Sequence, residues 1–196
     1  MNLVDRAKNI ILTPQTEWQV IAAEEPSIGQ IITGYVIPLA LIPAVASIIG
    51  WGVIGRGITS LNFGIASGIV AFGVAVLSVY LAAYVIDFLA PNFGSQKNLG
   101  RAMQLVAYSS TPGWVAGVLN IIPVIGWLAM LASLYGLYLL YLGLPQMMKT
   151  PQDKVPVYLI VAIIVVIVAY VIIGGVLSAI LFGIFGVSAL ATMGGL

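Results

Sequence analysis

Charge is missing from this chain over four long stretches, and that spacing limits what it can fold into more than any other feature. Residues 26–55, 57–86, 102–148 and 155–196 contain no Asp, Glu, Lys or Arg, leaving uncharged runs of 30, 30, 47 and 42 residues. A helix needs about 20 mostly apolar residues to cross a hydrocarbon core of roughly 30 Å. Each run therefore has room for at least one crossing. Only 7 basic and 6 acidic side chains occur in 196 residues, while 61% of the chain is hydrophobic; an ordinary soluble domain is about a quarter charged. Soluble globular, disordered and disulfide-rich classes are excluded. The expected fold is an all-α integral membrane protein.

The two shorter runs predict one span each, at 28–54 and 63–89. The third run is too long for a single helix. Within it Asn120-Ile121-Ile122-Pro123 offers a turn, because proline has no amide hydrogen for a continuing helix, and spans near 102–119 and 124–144 follow. The last span, 157–185, is rich in Val and Ile. At 1.5 Å per residue it would be about 43 Å long, so it must tilt or break at Gly174-Gly175. Five spans are expected, with six as the alternative if that break makes two short crossings, and residues 186–196 form an external tail.

Drawn with five spans, Arg6, Lys8, Lys97, Arg101, Lys149 and Lys154 fall on the side of the N-terminus and Arg56 falls opposite. Cytoplasmic loops are enriched in Lys and Arg. The expected orientation has the N-terminus in the cytoplasm and the C-terminus outside, in the cell membrane. Trp51, Trp114 and Trp127 then lie near the outer ends of their spans, as an interfacial belt would, and Trp18 marks the inner face.

Residues 1–27 precede the bundle and carry helical apolar spacing twice, at Leu3, Ala7, Ile10 and Ile11 and again at Trp18, Ile21 and Ala22. Thr13-Pro14 reads as a helix start, with the hydroxyl as N-cap and the proline at the first helical position. Both helices are too short and too charged to cross. They are expected to lie flat on the cytoplasmic leaflet as a docking surface, with Arg6 and Lys8 at the headgroups, or else to pack against loops. Glu24 and Glu25 interrupt any signal-peptide core, so the first span is expected to act as its own membrane signal.

With no histidine and no cysteine, there is no imidazole base, thiol nucleophile or structural zinc site. No catalytic residue, metal or cofactor is expected. A net charge of +1 also argues against nucleic acid as a partner, and no glycine-rich phosphate loop is present.

Three groups of residues stand out nonetheless. Tyr108-Ser109-Ser110-Thr111-Pro112 is a polar run inside the third span. Its proline frees the carbonyl near Tyr108, which the neighbouring hydroxyls can satisfy, and the result is either a plain kink or a binding site. Asp87 sits at the edge of the second span, where the negative end of the helix dipole makes it seek a partner among Lys97, Arg101 and Tyr84. Tyr84, Tyr135, Tyr138 and Tyr141, with Tyr35, Tyr80 and Tyr158, gather toward the inner half. They read as an aromatic belt or as a hydroxyl-lined vestibule with Asp87 at its rim. Finally, Gly64 with Gly68 and Gly113 with Gly117 place small residues on single helix faces, suited to close packing within the bundle or at a dimer seam.

The opening Arg6-Ala7-Lys8-Asn9-Ile10-Ile11-Leu12-Thr13-Pro14 with Glu17-Trp18, the run from Ala107 to Pro112, and Tyr138-Leu139-Leu140-Tyr141-Leu142-Gly143-Leu144-Pro145 resemble the Yip-type membrane domain. This is the family of Ypt/Rab-interacting proteins and their prokaryotic relatives, and the resemblance covers nearly the whole chain. It implies a five-span, N-inside membrane protein. Eukaryotic members are associated with Golgi and endoplasmic-reticulum trafficking through a long polar N-terminal region. The 27 residues here contain no such region, so Rab binding is not expected and a prokaryotic member is.

Two functions remain open at this level. One is a non-enzymatic membrane scaffold, binding the bilayer and other membrane proteins or itself. The alternative is a small transporter, channel or lipid-handling protein with its pathway at the broken third helix.

Overall fold

The computed structural model describes residues 2–54 and 61–181. Arg56, residues 182–185 at the end of the last span and the tail 186–196 lie outside the described residues. All regular structure among the described residues is helical.

Two short helices come first: α1, Leu3–Leu12, and α2, Pro14–Ala22. Asn2 caps α1 by accepting from the Val4 amide at 2.8 Å. Pro14 takes the first position of α2 as its fixed φ favours. The Thr13 hydroxyl, however, turns back to the Asn9 carbonyl at 3.2 Å instead of capping α2.

The long helix α3, Ile28–Ile54, starts at a capping box in which Ser27 and Gln30 satisfy each other's backbone amides. Wide π turns at Ile32–Val36 and Gly50–Ile54 interrupt it. The first of these precedes Pro38 and Pro43, which cannot donate to the ladder. Next comes α4, Leu61–Leu89, which runs into a 3-10 turn at Ala90–Phe93 and ends at Gly94 with φ 69°, a left-handed value that glycine adopts without strain.

The third predicted span is split. It forms α5, Leu99–Ser109, and α6, Thr111–Ala116, followed by a 3-10 turn over Gly117–Ile121. Turns over residues 122–127 lead into α7, Leu128–Met148, which begins later than the expected 124 and runs through Pro145 to Met148, where Lys149 at φ 55° ends it. The last helix, α8, Val155–Leu181, passes through Gly174-Gly175 without a break.

Four of these helices, α3, α4, α7 and α8, are long and apolar enough to cross a membrane. Their exposed faces are apolar along their length: Ile69, Leu77, Phe88, Leu134, Ile164 and Val171 all stand out from the bundle, Leu77 at 68% and Val171 at 69%. Such a surface is stable against lipid and not against water.

The buried core is gathered at one end. Ile10, Trp18 and Ile21 from α1 and α2 join Met103, Leu105, Leu144, Met148 and Tyr158 there. The loops meet at the same end, where the Gln96 amide donates to the Met148 carbonyl at 2.8 Å and the Ser95 hydroxyl to Thr150 at 2.9 Å. The short helices are thus a cap packed into the bundle. This corrects the expectation that Arg6 sits at the headgroups, since it is 4% exposed and packed within the protein; Trp18 is fully buried under the cap. Lys8 does remain exposed. Trp114 is also buried, at 6%, whereas Trp51 and Trp127 stand exposed.

Candidate functional site

The break between α5 and α6 is built by local chemistry. Pro112 cannot donate to the Tyr108 carbonyl, and the Thr111 hydroxyl donates to it instead at 2.6 Å. A threonine hydroxyl has one proton. With that proton committed, the 2.7 Å contact between the Tyr35 and Thr111 hydroxyls has Tyr35 as donor. A relay from α3 to the broken helix results, Tyr35 to Thr111 to the Tyr108 carbonyl. Ser110 Oγ donates to the Val106 carbonyl at 2.8 Å, so the kink leaves its carbonyls satisfied.

The same kink touches the cap. The Tyr108 ring meets Tyr35 edge-on with centroids 4.6 Å apart, and Trp18 at 6.4 Å. Above it lies the Arg6 guanidinium, 5.5 Å from the ring centre. Arg6 pairs with Glu17 at 2.5 Å and with Glu24. Arg101 reaches the Glu24 carbonyl at 2.7 Å and the exposed Glu25 carboxylate at 2.9 Å. Gly143 makes room for Trp18, since a Cβ there would lie 2.8 Å from the indole.

Ser109 faces away from this network. It is 3% exposed and its Oγ has no protein partner. It lines a cavity of about 420 Å³ among α4, α5, α6 and α7 that reaches α8 at Val166. No Asp, Glu, Lys or Arg lines that cavity.

The glycine pairs sit where helices meet within the chain. A Cβ on Gly64 would lie 2.6 Å from the Gly52 amide nitrogen, and one on Gly68 would lie 2.8 Å from the Ala44 carbonyl. Gly113 is held against α7, where a Cβ would come within 2.7 Å of Ser133 Oγ, and Gly117 against α3, where it would come within 2.6 Å of Pro43 Cβ.

The vestibule residues are brought together only in part: the Tyr135 and Tyr138 rings lie 5.6 Å apart, while Asp87, Tyr84 and Tyr141 take no part in the pocket those two wall. Asp87 is 7% exposed, with Oδ2 at 3.9 Å from the exposed Lys97 ammonium and Oδ1 without a partner. Beside it, the Tyr158 hydroxyl donates to the Ile86 carbonyl. Tyr135 instead donates to the Ile11 carbonyl at 2.9 Å and, with Tyr138, walls a pocket closed by Leu12 to Thr16. Tyr84, Tyr138 and Tyr141 are exposed on the bundle's outside. The reason is helical geometry: each three-residue step falls about 60° short of a turn, so Tyr141 stands about 120° around the helix from Tyr135.

The Arg6, Glu17 and Glu24 cluster was invisible to sequence reasoning. Glu17 stands eleven residues after Arg6 in the first turn of α2, where an acidic residue is equally at home in water, so its spacing carries no sign of the pair.

Long apolar helices, lipid-compatible outer faces and a polar kink inside the bundle define a polytopic helical membrane protein. Its family follows from comparison. The Yip1 domain matches residues 8–174, most of the chain, and the chain belongs to that family. Among curated proteins it is similar to inner membrane protein YohC of Escherichia coli, in strain K12 and in an O6:H1 strain. Each is 29% identical over 119 residues, 57% of this chain and 61% of the relative. The chain thus spans about three fifths of the length of the curated relatives it matches. No solved structure matches.

Proposed function

We propose that this Yip1-domain protein crosses the cell membrane five times from a cytoplasmic N-terminus and organises membrane partners without catalysing a reaction. Six of its seven cations belong to α1, the loops near α5 and α8, and the start of α5, which meet at the capped end. The positive-inside rule assigns that end to the cytoplasm. The split third helix counts as the fifth crossing, with residues 1–27 as the cap and 186–196 as an outer tail. The relatives' description as inner membrane proteins supports this location.

The observation that carries the scaffold reading is the fixed cap. One face of α1 and α2 is locked down by Arg6, Ile10, Trp18 and Ile21, while Val4, Leu12 and Val20 point outward at 67%, 66% and 45% exposure. A rigid apolar face held at the membrane surface suits a protein partner. Ser109 and Ser110 could serve as nucleophiles only with a base, and the cavity lining supplies none.

Photoreactive residues at Leu12 and Val20, activated in native membranes, test the reading. One discrete membrane-protein adduct at both positions, lost when Val4→Asp is added to either probe-bearing chain at unchanged melting temperature, is the expected result. Absence of any adduct, together with flux of ions or small solutes through sealed vesicles well above empty vesicles, would overturn it.

A further inference from the structure

We propose that the cavity beside the broken helix binds one uncharged, membrane-dissolved molecule, an aliphatic chain bearing a hydroxyl or carbonyl, with Ser109 as its polar anchor. This site is independent of the cap and of any partner docked there.

Its size is the first argument. About 420 Å³ lies within the roughly 300–1,000 Å³ usual for small-molecule sites. The small residues Ala71, Ala75 and Ala129 line the space, where larger side chains would reach into it.

The second argument is a count of protons. Ser78 donates to the Ala75 carbonyl at 2.8 Å, Ser110 to Val106 at 2.8 Å and Ser133 to Ala129 at 3.2 Å. Each of these hydroxyls spends its proton on its own helix. Ser109 Oγ alone among the serines of the wall is buried with no partner in the protein. A buried hydroxyl left unpaired is costly, and lipid tails offer it nothing. The hydroxyl is turned off the cavity surface in this rotamer, and a χ1 rotation at Ser109, a residue of the wall, would bring it to a ligand oxygen and restore the bond.

Third, the lining is uncharged. A phosphate, carboxylate or ammonium group would arrive without a counter-charge at a depth where that is prohibitive. Depth also names the source. The wall residues 71–82 come from the middle of α4, Leu61–Leu89, and Val166 from the middle of α8, Val155–Leu181, while Asn120 and Ala129 bound the cavity toward the end of the bundle away from the cap. A ligand at this level comes from the hydrocarbon core, so it is a neutral lipid or long-chain alcohol.

A photoactivatable hexadecanol carrying a mid-chain diazirine, applied to the full chain in lipid nanodiscs, is the direct probe. The expected result is saturable labelling mapped to 71–82 and 129–140. Unlabelled hexadecanol should compete about tenfold better than hexadecane, the worth of one hydrogen bond to a buried hydroxyl. Ser109→Ala keeps the volume and should erase that preference while leaving the melting curve intact. Ala75→Leu with Ala129→Leu fills the space and should abolish labelling. Non-saturable labelling spread over the outer faces, or equal competition by alcohol and alkane in the wild type, would overturn the proposal. So would a preference that survives Ser109→Ala, which also keeps the test decisive if the double leucine variant fails to fold.

Discussion

Arg6 holds two carboxylates and covers an aromatic ring from a position that is 4% exposed. Removing one member of a buried charge cluster strands the others, at about 3–5 kcal/mol. Arg6→Met should therefore lower the melting temperature in detergent sharply, and the double change Arg6→Met, Glu17→Gln should recover part of the loss. A melting curve unaltered by Arg6→Met would show that the cluster contributes nothing to the fold. Thr111→Val removes the donor to the Tyr108 carbonyl and the acceptor for Tyr35, and should cost about 1–3 kcal/mol in the same assay. Asp87→Asn offers the contrast. Its carboxylate is buried, but its cation is 3.9 Å away, beyond hydrogen-bond distance, with a side chain 63% exposed, so solvent around the cation screens the pair and little is lost with it. Relief of the unfavourable helix dipole offsets even that, so the curve should hardly move.

At the scale of helices, the apolar runs were legible because span length is a local property: Ile28–Ile54 coincides with the first predicted span, and Leu61–Leu89 extends the second by one short step. The proline in Tyr108 to Pro112 was legible for the same reason, as was the rescue of its carbonyl by hydroxyls. The partners of Arg6 and Trp18 were not. Trp18 meets Tyr108 and Gly143 through contacts that close only when distant segments assemble, and no spacing within α2 encodes them. The glycine pairs left a similar ambiguity, since small residues suit a dimer seam as well as an internal one. Their close approaches to α3 and α7 decide the expected outcome. Gly68→Val should lower the melting temperature of the protein without changing its mass in detergent by light scattering. A stable variant that shifts from dimer to monomer would place the seam between copies instead. Gly143→Val should unseat the indole and raise hydrogen exchange across α2, whereas protection equal to wild type would mean the cap does not depend on that contact.

For the molecule as a whole, the arrangement joins a bundle exposed to lipid on its sides to a core concentrated under a cap at one end. Burial on that scale makes the capped end the rigid one, and it is also where the cations gather. The central claim is that this end faces the cytoplasm and that the broken third helix completes an odd number of crossings. The sequence contains no cysteine, so single cysteines can be introduced without background and tested with a thiol reagent that does not cross the membrane. Cysteines at Lys8, Gln96 and Gln152 should react only after the inner face is opened, and those at Gly57, Val124 and Leu196 should react in intact cells. Protection of Leu196 alongside Lys8 would require an even number of crossings, and labelling of Gln96 from outside would contradict the assignment of the capped end.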